Sequence, residues 1–151
     1  MKVIGVIPAR YASSRLDGKP LAPIGGRPMI EHVWRRASRS KLLSDLVVAT
    51  DDERIFRAVE AFGGRAAMTS PDHPSGTDRV AEVAAASDAD VVVNIQGDEP
   101  FLSPLVLDQL VAPFAAGAAI EMTTLARRIE DAEALGDPTV VKVVFDRRSD
   151  A

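Results

Sequence analysis

Cysteine is absent from all 151 residues, which removes disulfides, thiolate metal sites and a cysteine nucleophile, and fits a reducing compartment. Aromatic residues make up only 5%, with a single Trp and a single Tyr, too few for the stacking platforms on which single-stranded nucleic acids lie. Positive charge is not in excess either: the formal net charge is −4, the opposite of the basic faces that hold nucleic-acid backbones. No apolar run approaches the roughly 18 residues of a membrane span. The opening MKVIGVIPAR is broken by Pro8 before a secretory core develops, so the expected location is the cytoplasm. The two histidines, His32 and His73, have no second ligand at zinc spacing.

What is present is an ordinary globular composition, 46% hydrophobic and 26% charged, over the length of one domain. Apolar runs of strand length alternate with helical patterns. Strands are expected at 3–7, 46–50, 66–68 and 91–95, the last the clearest buried strand, with two more at 122–126 and 140–145. A helix starting at Pro28 carries Ile30, Val33, Trp34 and Ala37 on one stripe. A second, capped by Asp51 or Asp52, carries Ile55, Val59 and Phe62 and ends at Gly63 and Gly64. A third runs from a Thr77 cap to about Ser87 with Val80, Val83 and Ala84 inward, and a fourth starts at Ser103 and Pro104 with Leu107, Leu110, Val111 and Phe114 at helical spacing. A short acidic helix is expected at 130–135. The alternation predicts an α/β fold: a mainly parallel sheet with helices on both faces. Such sheets bind ligands beyond the carboxyl ends of their strands, which selects the turns after Ile7, Thr50, Met68 and Ile95.

The first of these turns is the long stretch IPARYASSRLDGKPL, residues 7–21. Between Pro8 and Pro28 the charges are Arg10, Arg15, Lys19 and Arg27 against Asp17, a local +3 that leaves −7 on the rest of the chain. A cationic loop on an acidic protein suits a compact anion better than a long polyanion. Ala9, Ala12, Ser13, Ser14 and Gly18 stand among the cations, so backbone N–H groups can approach a phosphate while hydroxyls add donors. The loop is neither G-x-x-x-x-G-K-[ST] nor G-x-G-x-x-G, and a solvated basic turn is the plain alternative.

Two further turns carry chemistry. Gln96-Gly97-Asp98-Glu99-Pro100 puts a carboxylate where a divalent cation can be held against a polyphosphate, or is simply a Gly-Asp turn. Ser75-Gly76-Thr77-Asp78-Arg79 offers amides, a hydroxyl and a guanidinium at a helix start, or is only a cap with Asp78 answering the helix dipole. Asp51 and Asp52 are read as capping residues rather than a metal pair.

These strings together, PARYASSRLDGKPL (8–21), SGTDR (75–79) and VNIQGDEP (93–100), closely resemble the motifs of sugar-acid cytidylyltransferases. The form ARYASSRLDGKPL resembles the 3-deoxy-manno-octulosonate (Kdo) cytidylyltransferases in particular. One departure is Asp17, where that family commonly has proline. The resemblance implies a Rossmann-like nucleotide-diphospho-sugar transferase fold, with residues 1–151 forming the nucleotide-binding part of a single domain whose C-terminal part is absent, and a homodimer for full-length members.

By the same resemblance, CTP and Kdo react to give CMP-Kdo and pyrophosphate, for lipopolysaccharide biosynthesis. Pro8 and Ala9 would line the substrate site, the triphosphate would lie on Arg10, Ser13, Arg15 and Lys19, and the base or ribose would lie near Met68, Thr69, Ser75, Gly76, Thr77 and Arg79. Gln96 would neighbour the substrates and Asp98 would hold Mg2+, with Arg10, Lys19 and Asp98 carrying catalysis. Two other readings stay open: a CTP-binding fragment without turnover, and a related transferase acting on another sugar acid such as neuraminate.

Overall fold

The β-branched run at the start of the chain forms β1 (Val3–Ala9) in a computed structural model that describes residues 1–12 and 16–144. A 3-10 turn at Lys19–Leu21 leads to a small hairpin, β2 (Pro23–Ile24) and β3 (Arg27–Pro28). There follow α1 (Met29–Ala37), β4 (Asp45–Thr50), α2 (Glu53–Ala61), β5 (Ala66–Met68), α3 (Gly76–Ala85), β6 (Val91–Asn94) and α4 (Pro104–Ala115). The sheet is parallel throughout, in the order β5-β4-β1-β6. All four carboxyl ends therefore lie along one edge.

Period-two alternation assigns the two faces. Val3, Ile7 and Ala9 of β1, with Leu46 and Val48 of β4, join Ile30, Val33 and Ala37 of α1, Ile55 and Val59 of α2, and Leu107 and Val111 of α4 in one core. Ile4, Val6, Val47 and Ala49 point the other way, into a smaller core with Val80 of α3. Helices thus cover both faces, as the apolar stripes predict. Every residue of β1 except Pro8 is buried, because this strand is central and covered on both sides.

Several local expectations change. The cap of α3 is Ser75, not Thr77: its hydroxyl accepts from the Asp78 N–H at 3.2 Å while the Asp78 carboxylate accepts from the Ser75 N–H at 3.0 Å. A reciprocal box satisfies two donors, which a single Thr cap cannot do. Of Asp51 and Asp52, it is Asp52 that caps α2. Strand β6 is less buried than its composition suggests, with only Val93 fully covered, because it is the edge strand of the described sheet. Pro28 precedes α1 and closes the β2–β3 hairpin, a pairing announced by Gly25-Gly26, both at positive φ.

Residues Met122–Ala151 form a second unit, taken by itself. It contains α5 (Ala132–Gly136), capped by Asp131 through the Glu133 N–H, close to the acidic helix expected at 130–135. The strand expected at 122–126 is not formed, and 140–144 is not a strand either, while Phe145 lies outside the described residues. An apolar run becomes a strand only when a neighbour completes its ladder, and Met122, Val141 and Val144 stand largely exposed instead. Asp137 also competes locally: its carboxylate accepts from the Thr139 N–H at 2.8 Å and its carbonyl from the Val140 N–H at 3.2 Å, turning the chain where the second strand would begin. Among the described residues no helix is long and apolar enough to cross a membrane.

Candidate functional site

Because the strands run parallel, the segments after β1, β4, β5 and β6 converge on one edge, and the structure stitches them together. Pro8, at the end of β1, is the meeting point. A Cβ added to Gly97 would stand 2.8 Å from the Pro8 carbonyl oxygen, and one added to Gly76 would stand 3.3 Å from the Pro8 ring. Glycine at 97 is therefore what lets the turn after β6 close upon β1.

Lys19 and Asp98 meet directly. The Lys19 ammonium donates to the Asp98 carboxylate at 2.7 Å, with the two side chains 40% and 51% exposed. One comes from the long loop after β1 and the other from the turn after β6, so the pair brackets the mouth between neighbouring strands. In this exposed setting the ion pair contributes little to stability. Its use is to hold a cation and an acid side by side. Arg10 reaches in the other direction, donating to the His73 carbonyl at 3.0 Å and joining the β1 loop to the 69–75 loop.

The long loop is braced from below. The Gly18 N–H donates to the Tyr11 carbonyl at 2.8 Å, and Gly18, at φ 69°, lies beside the Tyr11 ring. The guanidinium of Arg54 lies 3.2 Å from the centroid of that ring. Asp52 fixes Arg54 through two hydrogen bonds of 2.9 and 2.6 Å, and Arg54 in return holds the Asp52 carboxyl below the usual carboxylate range. The first turn of α2 thus carries a stack that supports the neck of the cationic loop.

The candidate residues fall into groups. Pro8, Ala9, Arg10, Lys19, Ser75, Gly76, Thr77, Gln96 and Asp98 all lie along the carboxyl edge, with Ser75, Thr77, Gln96 and Asp98 exposed. Met68 is exposed at the end of β5, and Thr69 is buried beside it. Arg79 departs from a ligand-facing role: it is 0% exposed and turned toward Thr69 and Asp51. Ser13 and Arg15 lie outside the described residues. Tyr11, Arg54 and Asp51 were not singled out from the sequence as parts of the site; Asp51 finds its partner in Arg79, 28 residues further on, a separation that no local pattern displays.

The donor chemistry bears on a metal. Among the described residues no three His, Asp or Glu side chains gather to hold an ion. The His32 Nε2 donates to the Ile24 carbonyl at 2.8 Å and the His73 ring meets Glu82, so neither is arranged for zinc. Asp98 offers a half-exposed carboxylate at the mouth, and Glu99 beside it in the same turn is exposed as well. That set fits Mg2+, which takes one or two carboxylates and fills its shell with phosphate oxygens and water.

Comparison with known proteins gives the same motifs a context. The cytidylyltransferase family pattern matches residues 4–151. The 3-deoxy-manno-octulosonate cytidylyltransferase of Geobacter metallireducens is 54% identical over all of this chain, which spans 59% of that protein. The 8-amino-3,8-dideoxy-manno-octulosonate cytidylyltransferase of Shewanella frigidimarina is 51% identical, again over the whole chain and 63% of the relative. Among solved structures, a CMP:2-keto-3-deoxy-manno-octonic acid synthetase complexed with CTP superposes with a TM-score of 0.77 at 49% identity, covering 80% of this chain and 50% of that one. The chain therefore spans about three fifths of the length of the curated relatives it matches.

Proposed function

Since this chain belongs to the cytidylyltransferase family, we propose that it supplies the CTP-binding part of an enzyme that activates 3-deoxy-manno-octulosonate, releasing pyrophosphate and forming the CMP sugar. The observation that carries the reading is the Lys19–Asp98 pair at 2.7 Å, which joins a phosphate-type cation to a metal-type acid at the carboxyl ends of two adjacent strands. The relatives are named for octulosonate sugars, which favours these over neuraminate.

In the proposed reaction, Arg10 and Lys19, with Ser13 and Arg15, hold the triphosphate. A hydroxyl oxygen of the sugar acid forms a bond to the α-phosphorus, the bond from that phosphorus to the bridging oxygen breaks, and pyrophosphate leaves with the electron pair. The hydroxyl proton passes to solvent. The chain's contribution is placement and charge stabilisation, so no protein nucleophile is required. Mg2+ bound by Asp98 would supply Lewis acidity toward phosphate oxygens. The base would lie against Met68, Thr69 and the start of α3, and Gln96 beside the reacting groups.

The test is a pair of measurements on the chain: calorimetric titration with CTP and Mg2+, and pyrophosphate release in the presence of 3-deoxy-manno-octulosonate. CTP binding with pyrophosphate release supports the whole proposal. Binding without release reduces it to a nucleotide-binding module, and ATP, GTP or UTP bound as tightly as CTP rejects the cytidine assignment.

A further inference from the structure

Arg79 is the largest fully buried side chain of the described residues, although it stands near the start of a helix at the edge of the site. One terminal nitrogen donates to the Thr69 hydroxyl and the other to the Asp51 carboxylate, the latter at 2.6 Å. The Thr69 hydroxyl donates in turn to the Thr50 carbonyl at 3.1 Å. A single guanidinium thereby ties the end of β4, the end of β5 and α3. Three residues on, Glu82 accepts from the Ser70 N–H at 3.0 Å and meets His73. Positions three apart share a helix face, so one face of α3 carries the 69–75 loop by two side chains. That loop's His73 carbonyl is what Arg10 grips.

The arrangement is a poor way to gain stability. Arg79 Nε is buried with no partner among the described residues, and buried ion pairs are often matched or bettered by apolar side chains of similar volume. What the guanidinium does supply is a fixed fork of donors that sets the relative positions of its partners.

We propose that Arg79 is a positioning residue for nucleotide selection: acting through Thr69 and Asp51, it sets the segment after β5 against Pro8 and Arg10 without touching the nucleotide. This rests on the CTP-binding reading above. The burial of the side chain separates it from a direct ligand role, because no atom of it reaches solvent.

Titration of CTP and UTP into the 151-residue chain, with Asp51→Asn, Thr69→Val and their double variant, tests the idea, and thermal unfolding verifies that each is folded. Each single change is expected to weaken CTP binding about tenfold, the scale of one displaced hydrogen bond to the base, and UTP binding by less, so that discrimination narrows. The double variant should resemble the singles, since the partners act through one group. Unchanged affinity and discrimination in folded Asp51→Asn and Thr69→Val overturns the inference. A wild-type chain that binds CTP beside unaffected variants rejects the positioning role alone, whereas a wild-type chain that binds no nucleotide rejects the CTP reading with it.

Discussion

Lys19 is the residue on which the chemistry leans most. Its ammonium is already placed at the mouth by Asp98 at 2.7 Å, and in the proposed reaction it faces the charge that grows on departing pyrophosphate. Removing one such donor costs on the order of 10²–10³ in rate, so Lys19→Ala is expected to lower pyrophosphate release by that factor, read in a continuous phosphate-coupled assay. Gly97 is the second sensitive position. A methyl group there meets the Pro8 carbonyl at 2.8 Å, and backbone cannot rotate away as a side chain can. Gly97→Ala should lower stability by about 1–3 kcal/mol, seen as an earlier thermal transition, and weaken CTP binding at the same time. A normal melting curve would show that the turn after β6 has slack. Lys19 and Asp98 could be singled out from sequence because charge and strand-end position are both local properties. The burial of Arg79 could not, since it depends on Asp51, 28 residues earlier in the chain, and on how deeply α3 sits upon the sheet.

Helix α3 organises the edge through its first turn. The Ser75 hydroxyl, the Ser75 N–H and neighbouring charges hold the Asp78 carboxyl below its ordinary value of 3.8. A carboxylate with a lowered folded value contributes stability that is fully present above the unfolded value and disappears as pH falls through the folded one. Glu82, held down by the Ser70 N–H and then by His73, adds in the same direction. Stability should therefore be flat from neutral pH to about 5 and fall in stronger acid, and Asp78→Asn should make that fall shallower in urea titrations across pH. Ser75→Ala is expected to cost about 1 kcal/mol by removing the cap, and a Thr77→Ala variant far less, because Thr77 is not the cap. The rhythm of β1, β4, β5, β6 and α1 to α4 is legible from apolar spacing, whereas the β2–β3 hairpin, two residues a side, has no apolar run to mark it. The runs at 122–126 and 140–145 carry the same marks, yet a strand is completed by a neighbour, and a sequence does not display its neighbours.

At the scale of the molecule, the parallel order β5-β4-β1-β6 accounts for why motifs separated by nearly eighty residues meet at one edge. Four strands enter the sheet in the same direction, so the cationic loop, the Asp98 turn and the start of α3 emerge at a common edge. Parallel direction was readable from the alternation of elements. The order of the strands was not, because β4 and β6 both flank β1 for reasons of packing on two faces that no single stretch encodes. The central claim is that this edge cradles a cytidine triphosphate, and the most direct measurement is calorimetric titration of CTP with Mg2+ into the wild-type chain and into Arg10→Ala and Lys19→Ala. The account predicts saturable CTP binding, tighter than that of UTP or ATP, and at least a tenfold loss in each variant. Equal binding by all three chains, or no preference for CTP, would contradict it.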